Sequence, residues 1–203
     1  MCTKSRLEHP LARGAFWAGE LEPTEFRPWA DAHGGTLPSL YKARIREVAP
    51  DSFMAQAIEM AVQNVRTGRG GPFASLVVKD GATIASGVNL VTSTNDPTAH
   101  AEIVAIREAC RVLGRFQLTG CDIYATCEPC PMCLGAIYWA RPARVFFAGT
   151  RADAAAAGFD DTVIYSELQA PLSERRIPMI PLMRRQAQRA FLEWQSKPDR
   201  IVY

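Results

Sequence analysis

Three cysteines recur at every third position in CEPCPMC, residues 127–133. Thiolates at this spacing bind iron–sulfur clusters, structural zinc or catalytic zinc. A bacterial ferredoxin-type cluster needs a further cysteine soon after the third, and no cysteine follows Cys133. Zinc is therefore the favoured metal. Cys130 and Cys133 are the favoured ligands, because they lie one turn apart at a predicted helix start, where the helix dipole favours thiolates.

A histidine is the natural third ligand. His9 and His33 lie in an irregular N-terminal stretch, whereas His100 opens a predicted helix and is followed by Glu102 in HAE. Three protein ligands leave one position for water, which is typical of catalytic zinc. Glu102 could then move the proton of that water. Because residues i and i+2 do not share a helix face, the metal must lie off the helix end.

H-x-E followed by P-C-x-x-C is the signature of zinc-dependent nucleobase deaminases, and it occurs here as HAE and PCPMC. Over residues 53–203 the sequence resembles the cytidine deaminase superfamily, and within it the bacterial guanine deaminases. The stretches that carry the resemblance are GGPF, NDPTAHAE, CEPCPMCLGAIYWARP, AGFDD and the terminal tyrosine. The resemblance implies an α/β fold, a three-layer sandwich in which a mixed five-stranded sheet has helices on both faces.

The resemblance also implies the site and the reaction. The expected Zn²⁺ ligands are His100, Cys130 and Cys133. Glu102 and Asp161 are expected to be catalytic, and Cys127 to stand beside the ligands without binding metal. The expected substrate-binding residues are Phe73, Asn89, Ala101, Trp139 and Tyr203. The implied reaction is hydrolytic deamination of guanine to xanthine and ammonia in purine catabolism, by a homodimer that exchanges its C-terminal segments.

Other functions stay open at this stage. A tRNA adenosine deaminase shares HAE and PCPMC, and cytosine or aminated triazines are alternative substrates. A noncatalytic zinc-stabilised interaction module is an alternative of another class, although it would not need Glu102. The net charge of +2 gives no indication of a nucleic-acid or membrane partner. The near-neutral charge and AGFDD therefore argue against a tRNA adenosine deaminase.

Periodicity and turn signals predict the elements that must position these residues. Residues 1–50 are interrupted by prolines and predict an irregular extension, followed by a deaminase domain over 51–203. Asp51 is predicted to cap a helix whose apolar stripe includes Ile58 and Val65, and Asp96 with Pro97 is predicted to start the next long helix. The predicted strands are FASLVV, TIASGV, CDIYATC and ARVFFAGT, with a hairpin turn at Asp80-Gly81. PMCLGAIYWA and residues 182–194 predict helices, and the stretch around AGFDD predicts a loop.

Membrane and secretory signals are not apparent in the sequence. It has no apolar run of about 18 residues, and its N-terminus lacks the basic and apolar regions of a signal peptide. We therefore expect a cytoplasmic location with reduced thiols. In that compartment the six cysteines indicate metal ligands or packing residues rather than disulfides.

Overall fold

The computed structural model of the chain describes residues 50–202. Its helices are α1 (Pro50–Arg66), α2 (Val91–Thr94), α3 (Ala101–Leu113), α4 (Pro131–Ala140), α5 (Arg151–Ala156), α6 (Thr162–Gln169) and α7 (Arg184–Ser196), with a 3-10 turn at Leu172–Glu174. Its strands are β1 (Ala74–Lys79), β2 (Ala82–Val88), β3 (Cys121–Cys127) and β4 (Arg144–Gly149). The predictions for the N-terminal extension and for Tyr203 lie outside the described residues.

The described residues form a four-stranded sheet in the order β2-β1-β3-β4. β1 pairs antiparallel with β2 and β3, and β3 pairs parallel with β4. The mixed α/β sheet confirms that part of the prediction, and the four strands lie where the sequence placed them. The expectation of five strands is wrong for residues 50–202, because β4 is an edge strand and the chain continues from it into helix α5.

Helices cover both faces of the sheet, because successive strand residues point to opposite sides. In β1, Val77 packs with the buried residues of α3 and α4, whereas Leu76 and Val78 pack with those of α1. The α1 layer also contains Phe53 and Tyr124, whose ring centroids are 5.3 Å apart. The result is an α/β/α sandwich in which α3 and α4, the helices that begin with metal-ligand candidates, lie on the same face.

The hairpin between β1 and β2 follows the sequence prediction. Asp80 and Gly81 both have positive φ, at 51° and 80°, as a two-residue type I′ turn requires. Lys79 pairs with Ala82 across the turn. The turn chemistry therefore sets the register of the pairs next to the turn, and the register shifts between Val77 and Val78.

Helix α1 begins at Pro50, so Asp51 lies in the first turn and is not the predicted cap. A carboxylate there still complements the helix dipole. The residues that α1 buries are Phe53, Ala57, Ala61 and Asn64. Ile58 and Val65, assigned to the buried stripe, are 45% and 50% exposed. The predicted stripe also included Ala61, which is buried, so the predicted face is right in part. It is rotated because a polar residue, Asn64, occupies a buried position that apolar periodicity does not detect.

Helix α3 begins at Ala101 with His100 as N-cap, so the predicted start at Asp96 and Pro97 is wrong. Asp96 Oδ1 instead accepts hydrogen bonds from the Thr98 N–H at 2.8 Å and the Thr98 hydroxyl at 2.7 Å. Such a local turn competes with helix formation. As a consequence His100 has an extended backbone, with φ −68° and ψ 154°, and precedes the helix that carries Glu102.

The C-terminal third is more helical than predicted. AGFDD itself, residues 157–161, is a loop as predicted, but α5 and α6 flank it where no helix was expected, and the last helix starts at Arg184, two residues later than expected. Thr150 and Asp153 form a capping box at α5, in which each side chain accepts a bond from the other's backbone N–H. This T-x-x-D pattern is a helix-start signal that the sequence contains and the prediction overlooked. Within residues 50–202, no helix has the length and hydropathy needed to cross a bilayer.

Candidate metal centre and active site

Two helix N-termini converge at the candidate metal centre. His100 is the N-cap of α3 and Cys130 is the N-cap of α4, with Pro131 following at a position where a missing N–H costs nothing. Cys133 is in the first turn of α4 and is fully buried. The partial positive charge of both helix ends stabilises thiolates at this point.

The three side chains stand at the spacing of a tetrahedral metal site. His100 Nδ1 lies 3.5 Å from Cys130 Sγ and 3.5 Å from Cys133 Sγ, and the three candidate ligand atoms lie within 4.8 Å of one another. Zn–S and Zn–N bonds of about 2.3 and 2.1 Å at tetrahedral angles put N and S about 3.6 Å apart. The donor types and the distances therefore both fit zinc. Cys127 is not in this group, as expected.

The two cysteine sulfurs interact strongly with each other. The Cys133 thiol hydrogen-bonds to Cys130, and this bond is the main reason that the pKa of Cys130 is lowered to about 4; His100 lowers it further. The same bond, together with burial, raises the pKa of Cys133. His100 has a raised pKa because it hydrogen-bonds to Cys130. Two buried sulfurs that share negative charge are suited to bind a divalent cation. Binding of the cation would release the remaining thiol proton.

Glu102 lies beside the sulfurs. Its side chain is buried, with 8% exposure, and its Oε2 accepts a bond from Cys133 Sγ at 3.5 Å. Burial raises the pKa of this carboxyl. Glu102 also faces the large cavity next to the metal centre. A buried carboxyl with a raised pKa beside a metal site is suited to accept and return protons.

One cavity of about 560 Å³ brings most of the predicted site together. The predicted residues on its wall are Phe73, Asn89, His100, Ala101, Glu102, Cys130 and Asp161. Sequence reasoning missed Phe159, which also lines the cavity and whose ring meets Phe73 edge to face at 4.9 Å. Phe159 lies in AGFDD, one of the stretches that carry the family resemblance, so the sequence contained a signal for this residue. The two rings form an aromatic wall of the kind that binds planar heterocycles.

The two acids of AGFDD have different environments. Asp160 Oδ1 accepts a bond from the Thr162 N–H at 2.9 Å, and bonds from Thr162 lower its pKa. Asp161 has a raised pKa, mainly because of burial and secondarily because of the nearby Cys130. The Asp160 carboxylate is thus occupied by the Thr162 backbone. The carboxyl of Asp161 has the more desolvated environment of the two.

Trp139 lies apart from this cavity. It lines a second, apolar cavity with Ile106, Phe116 and Ala140. Within residues 50–202 its indole is not on the wall that holds the other predicted substrate residues, so its role in substrate binding stays a prediction. Cys127 does line the first cavity, and its Sγ donates to the Thr150 carbonyl at 3.5 Å. Burial raises the pKa of Cys127 to about 11, so this thiol stays protonated at neutral pH.

Comparison with known proteins identifies the family. Residues 49–149 match the family described as the cytidine and deoxycytidylate deaminase zinc-binding region. The guanine deaminase of Bacillus subtilis is 51% identical over 153 residues, which cover 75% of this chain and 98% of that protein. The chain belongs to the cytidine deaminase superfamily. The predicted resemblance is confirmed, and Zn²⁺ is the cofactor to which the His-Cys-Cys group corresponds.

Solved structures agree with this deaminase assignment. A crystal structure of the Bacillus subtilis guanine deaminase superimposes with a TM-score of 0.75 and 50% identity, covering 77% of this chain and 99% of that one. A guanine deaminase from Nitrosomonas europaea superimposes with a TM-score of 0.54 and 31% identity over 62% and 74% of the two chains.

A tRNA-specific adenosine deaminase from Agrobacterium fabrum is 47% identical over 76 residues, which cover 37% of this deaminase and 50% of that protein.

Proposed function

We propose that this deaminase hydrolyses guanine to xanthine and ammonia. The observation that carries the proposal is that one cavity is lined by His100 and Cys130 of the metal centre and by Glu102, together with Phe73, Asn89 and Asp161. The similarity to the Bacillus subtilis guanine deaminase extends over 98% of that protein and supports the same choice of base. The proposed role is in purine catabolism or salvage.

His100, Cys130 and Cys133 would hold the zinc ion, which when bound would supply Lewis-acid activation of a water in the cavity. Glu102 takes the first proton of the attacking water and delivers it to the ring nitrogen, and it then takes the second proton from the new hydroxyl group and delivers it to the departing amine. Its burial supports this role, because burial raises the pKa of the carboxyl and so makes its protonated form easier to reach. The reaction consumes one water and releases one ammonia for each guanine.

The remaining cavity residues are proposed to select and orient the base. Phe73 and Phe159 pack against its planar faces and edges. Asn89 Oδ1 accepts from the Val91 N–H at 3.3 Å, which leaves the Asn89 amide N–H groups to donate to the base. Asp161 accepts from the donors of guanine and assists the second proton transfer. A base that lacks the matching groups leaves these buried polar atoms unpaired, and it is therefore rejected.

Turnover of free guanine by the zinc-loaded protein tests the proposal. We expect xanthine and ammonia in equal amounts, followed by absorbance and by ammonia assay. Glu102→Gln should lower kcat by roughly 10²- to 10⁴-fold with zinc retained. Glu108→Gln is the matched control, because Glu108 lies on the same helix but pairs with Arg111 at the surface. No xanthine from the wild type, or full activity in Glu102→Gln, would contradict the proposal.

Substrate comparison separates guanine from the other bases. The assay should include a tRNA anticodon stem-loop, cytosine and an aminated triazine at equal concentrations. We expect guanine to have the highest kcat/KM. Preference for the stem-loop would instead indicate a tRNA adenosine deaminase, which the partial identity to the Agrobacterium fabrum protein makes the relevant comparison.

We also propose that the protein is a homodimer formed through its C-terminal segment. Large apolar side chains are exposed along it, and they include Ile177, Ile180, Leu182, Phe191 and Val202. A run of exposed apolar residues marks an interaction surface. We propose that the two subunits exchange this segment and that Tyr203 closes the partner's cavity. Tyr203 itself lies outside the described residues.

The domain limits and the location are likewise proposals. One deaminase domain over residues 51–203, after an extension at 1–50, agrees with a family match that begins at residue 49. A cytoplasmic location is proposed because zinc thiolates require reduced cysteines, and the described cysteines are free of disulfides.

A further inference from the structure

Asn64 is a polar residue buried near the end of α1, with 3% exposure. Both N–H groups of its amide are used. Nδ2 donates to the Gly71 carbonyl at 2.9 Å and to the Asn89 carbonyl at 2.8 Å. Its side chain is not part of the cavity wall, yet both acceptors belong to residues that line the cavity. Asn64 therefore connects two separate parts of the wall from behind.

The two acceptors are themselves linked through Phe73. The Gly71 carbonyl also accepts from the Phe73 N–H at 2.9 Å, and the Asn89 N–H donates to the Phe73 carbonyl at 3.0 Å. Asn64, Gly71, Phe73 and Asn89 thus form a closed circuit of hydrogen bonds, here called the Asn64 ring. The bond from the Phe73 N–H to the Gly71 carbonyl spans Pro72 and makes a three-residue turn, which sets the direction in which the chain enters Phe73.

Close packing holds the Asn64 ring in one geometry. A Cβ placed on Gly70 would lie 2.1 Å from the Asn89 carbonyl oxygen and 3.2 Å from Asn64 Nδ2. The loop therefore approaches Asn89 as closely as a residue without a side chain allows. A small change in the Asn64 bonds must then shift either the loop that leads to Phe73 or the backbone of Asn89.

We infer that Asn64 is a positioning residue that sets the separation and orientation of Phe73 and Asn89 for substrate binding. This inference rests on the proposed function, in which these two residues hold the base. Only a short side chain with two donors can serve both carbonyls. Aspartate would present acceptors to two acceptors, and serine would keep a single donor. Zinc ligation and Glu102 lie outside the Asn64 ring, so the chemical step should change little.

Steady-state kinetics of Asn64→Asp and Asn64→Ser test the inference. We expect KM for guanine to rise about tenfold or more in Asn64→Asp and by less in Asn64→Ser, with kcat within about threefold and zinc retained. KM is the informative quantity, because partial unfolding lowers the active fraction and kcat but leaves KM unchanged. Asn64→Ser still decides the question if Asn64→Asp does not fold.

Two controls lie on the same helix. Gln63→Glu makes the same amide-to-acid change at the adjacent exposed residue, whose Nε2 bonds to Glu59. Ala61→Gly weakens α1 without touching the Asn64 ring. Both should keep the wild-type KM. A wild-type KM in the two Asn64 variants, or an equal rise in KM in the two controls, would overturn the inference.

Hydrogen exchange separates failure of the inference from failure of the proposed function. The Phe73 and Asn89 amides donate within the Asn64 ring, and they should exchange faster in Asn64→Asp than in the wild type and in Gln63→Glu. This measurement needs no substrate. If the wild type does not deaminate guanine, the proposed function is wrong, and exchange alone decides the positioning role. Unchanged exchange at both amides would refute that role.

Discussion

Replacement of Gly87 by alanine should displace α3, the helix whose N-terminal end lies at the active site. Gly87 lies in β2, which packs on α3. A Cβ there would lie 2.3 Å from the Ala101 carbonyl oxygen and 2.6 Å from the Ala105 nitrogen. Both neighbours are backbone atoms of α3, so a side-chain rotation cannot relieve the overlap. The strand and the helix must instead move apart.

The size of the movement follows from these distances. Ordinary contact begins at 3.4 Å, so the Ala101 oxygen at 2.3 Å must retreat by about 1 Å. His100 and Glu102 flank Ala101, whereas Cys130 and Cys133 lie on α4 and would stay in place. Overpacking of this kind destabilises a protein by about 1 to 3 kcal/mol. A 1 Å misplacement at a reacting centre lowers activity by roughly 100-fold.

Gly135→Ala supplies the matched control. The same methyl group added at Gly135, on the exposed side of α4, meets nothing within 4 Å. That change should leave kcat/KM unchanged and stabilise α4 by about 0.5 to 1 kcal/mol. Denaturant unfolding, zinc content and kcat/KM for guanine would be measured for both variants. If Gly87→Ala matched Gly135→Ala in stability and activity, the argument from close packing of β2 on α3 would be refuted.

The remaining predictions concern the cysteines and the C-terminal segment. Cys130→Ala should lose zinc, whereas Cys127→Ala should keep about one zinc per chain by elemental analysis, since Cys127 lies outside the ligand group; zinc loss from Cys127→Ala would show that the ligand set is wrong. Ile180→Asp should convert a dimer into monomers in sedimentation experiments, because Ile180 is 82% exposed within the apolar segment; a wild-type monomer would remove the basis of the dimer proposal.

Local sequence signals predicted the sheet well. Short stretches between turn signals predicted the four strands, and Asp80 with Gly81 predicted the hairpin turn, because both signals depend on residues close together in the chain. Helix α4 matches its prediction at both ends, since Pro131 marks its start. The expected fifth strand came from the family resemblance alone. The described residues contain no stretch that pairs with β4 on its outer side.

Predictions failed where a polar residue has a tertiary partner. Asn64 is buried because the carbonyls of Gly71 and Asn89 reach its amide, and these acceptors lie seven and 25 residues away. Periodicity counts Asn64 as exposed and so rotates the predicted face of α1. The predicted start of α3 was wrong for a local reason, since Asp96 accepts a bond from Thr98 and forms a turn where a helix cap was expected.

The sequence by itself determined the ligand chemistry, because H-x-E and P-C-x-x-C name the donors and the proton carrier without reference to a fold. Only the tertiary structure decided which donors meet. His100 and Cys130 are 30 residues apart, and the packing of α3 and α4 on one face brings their helix ends together. The structure likewise distinguished Asp161 from Asp160. Burial and distance depend on how the whole chain closes on itself, which no short stretch of sequence contains.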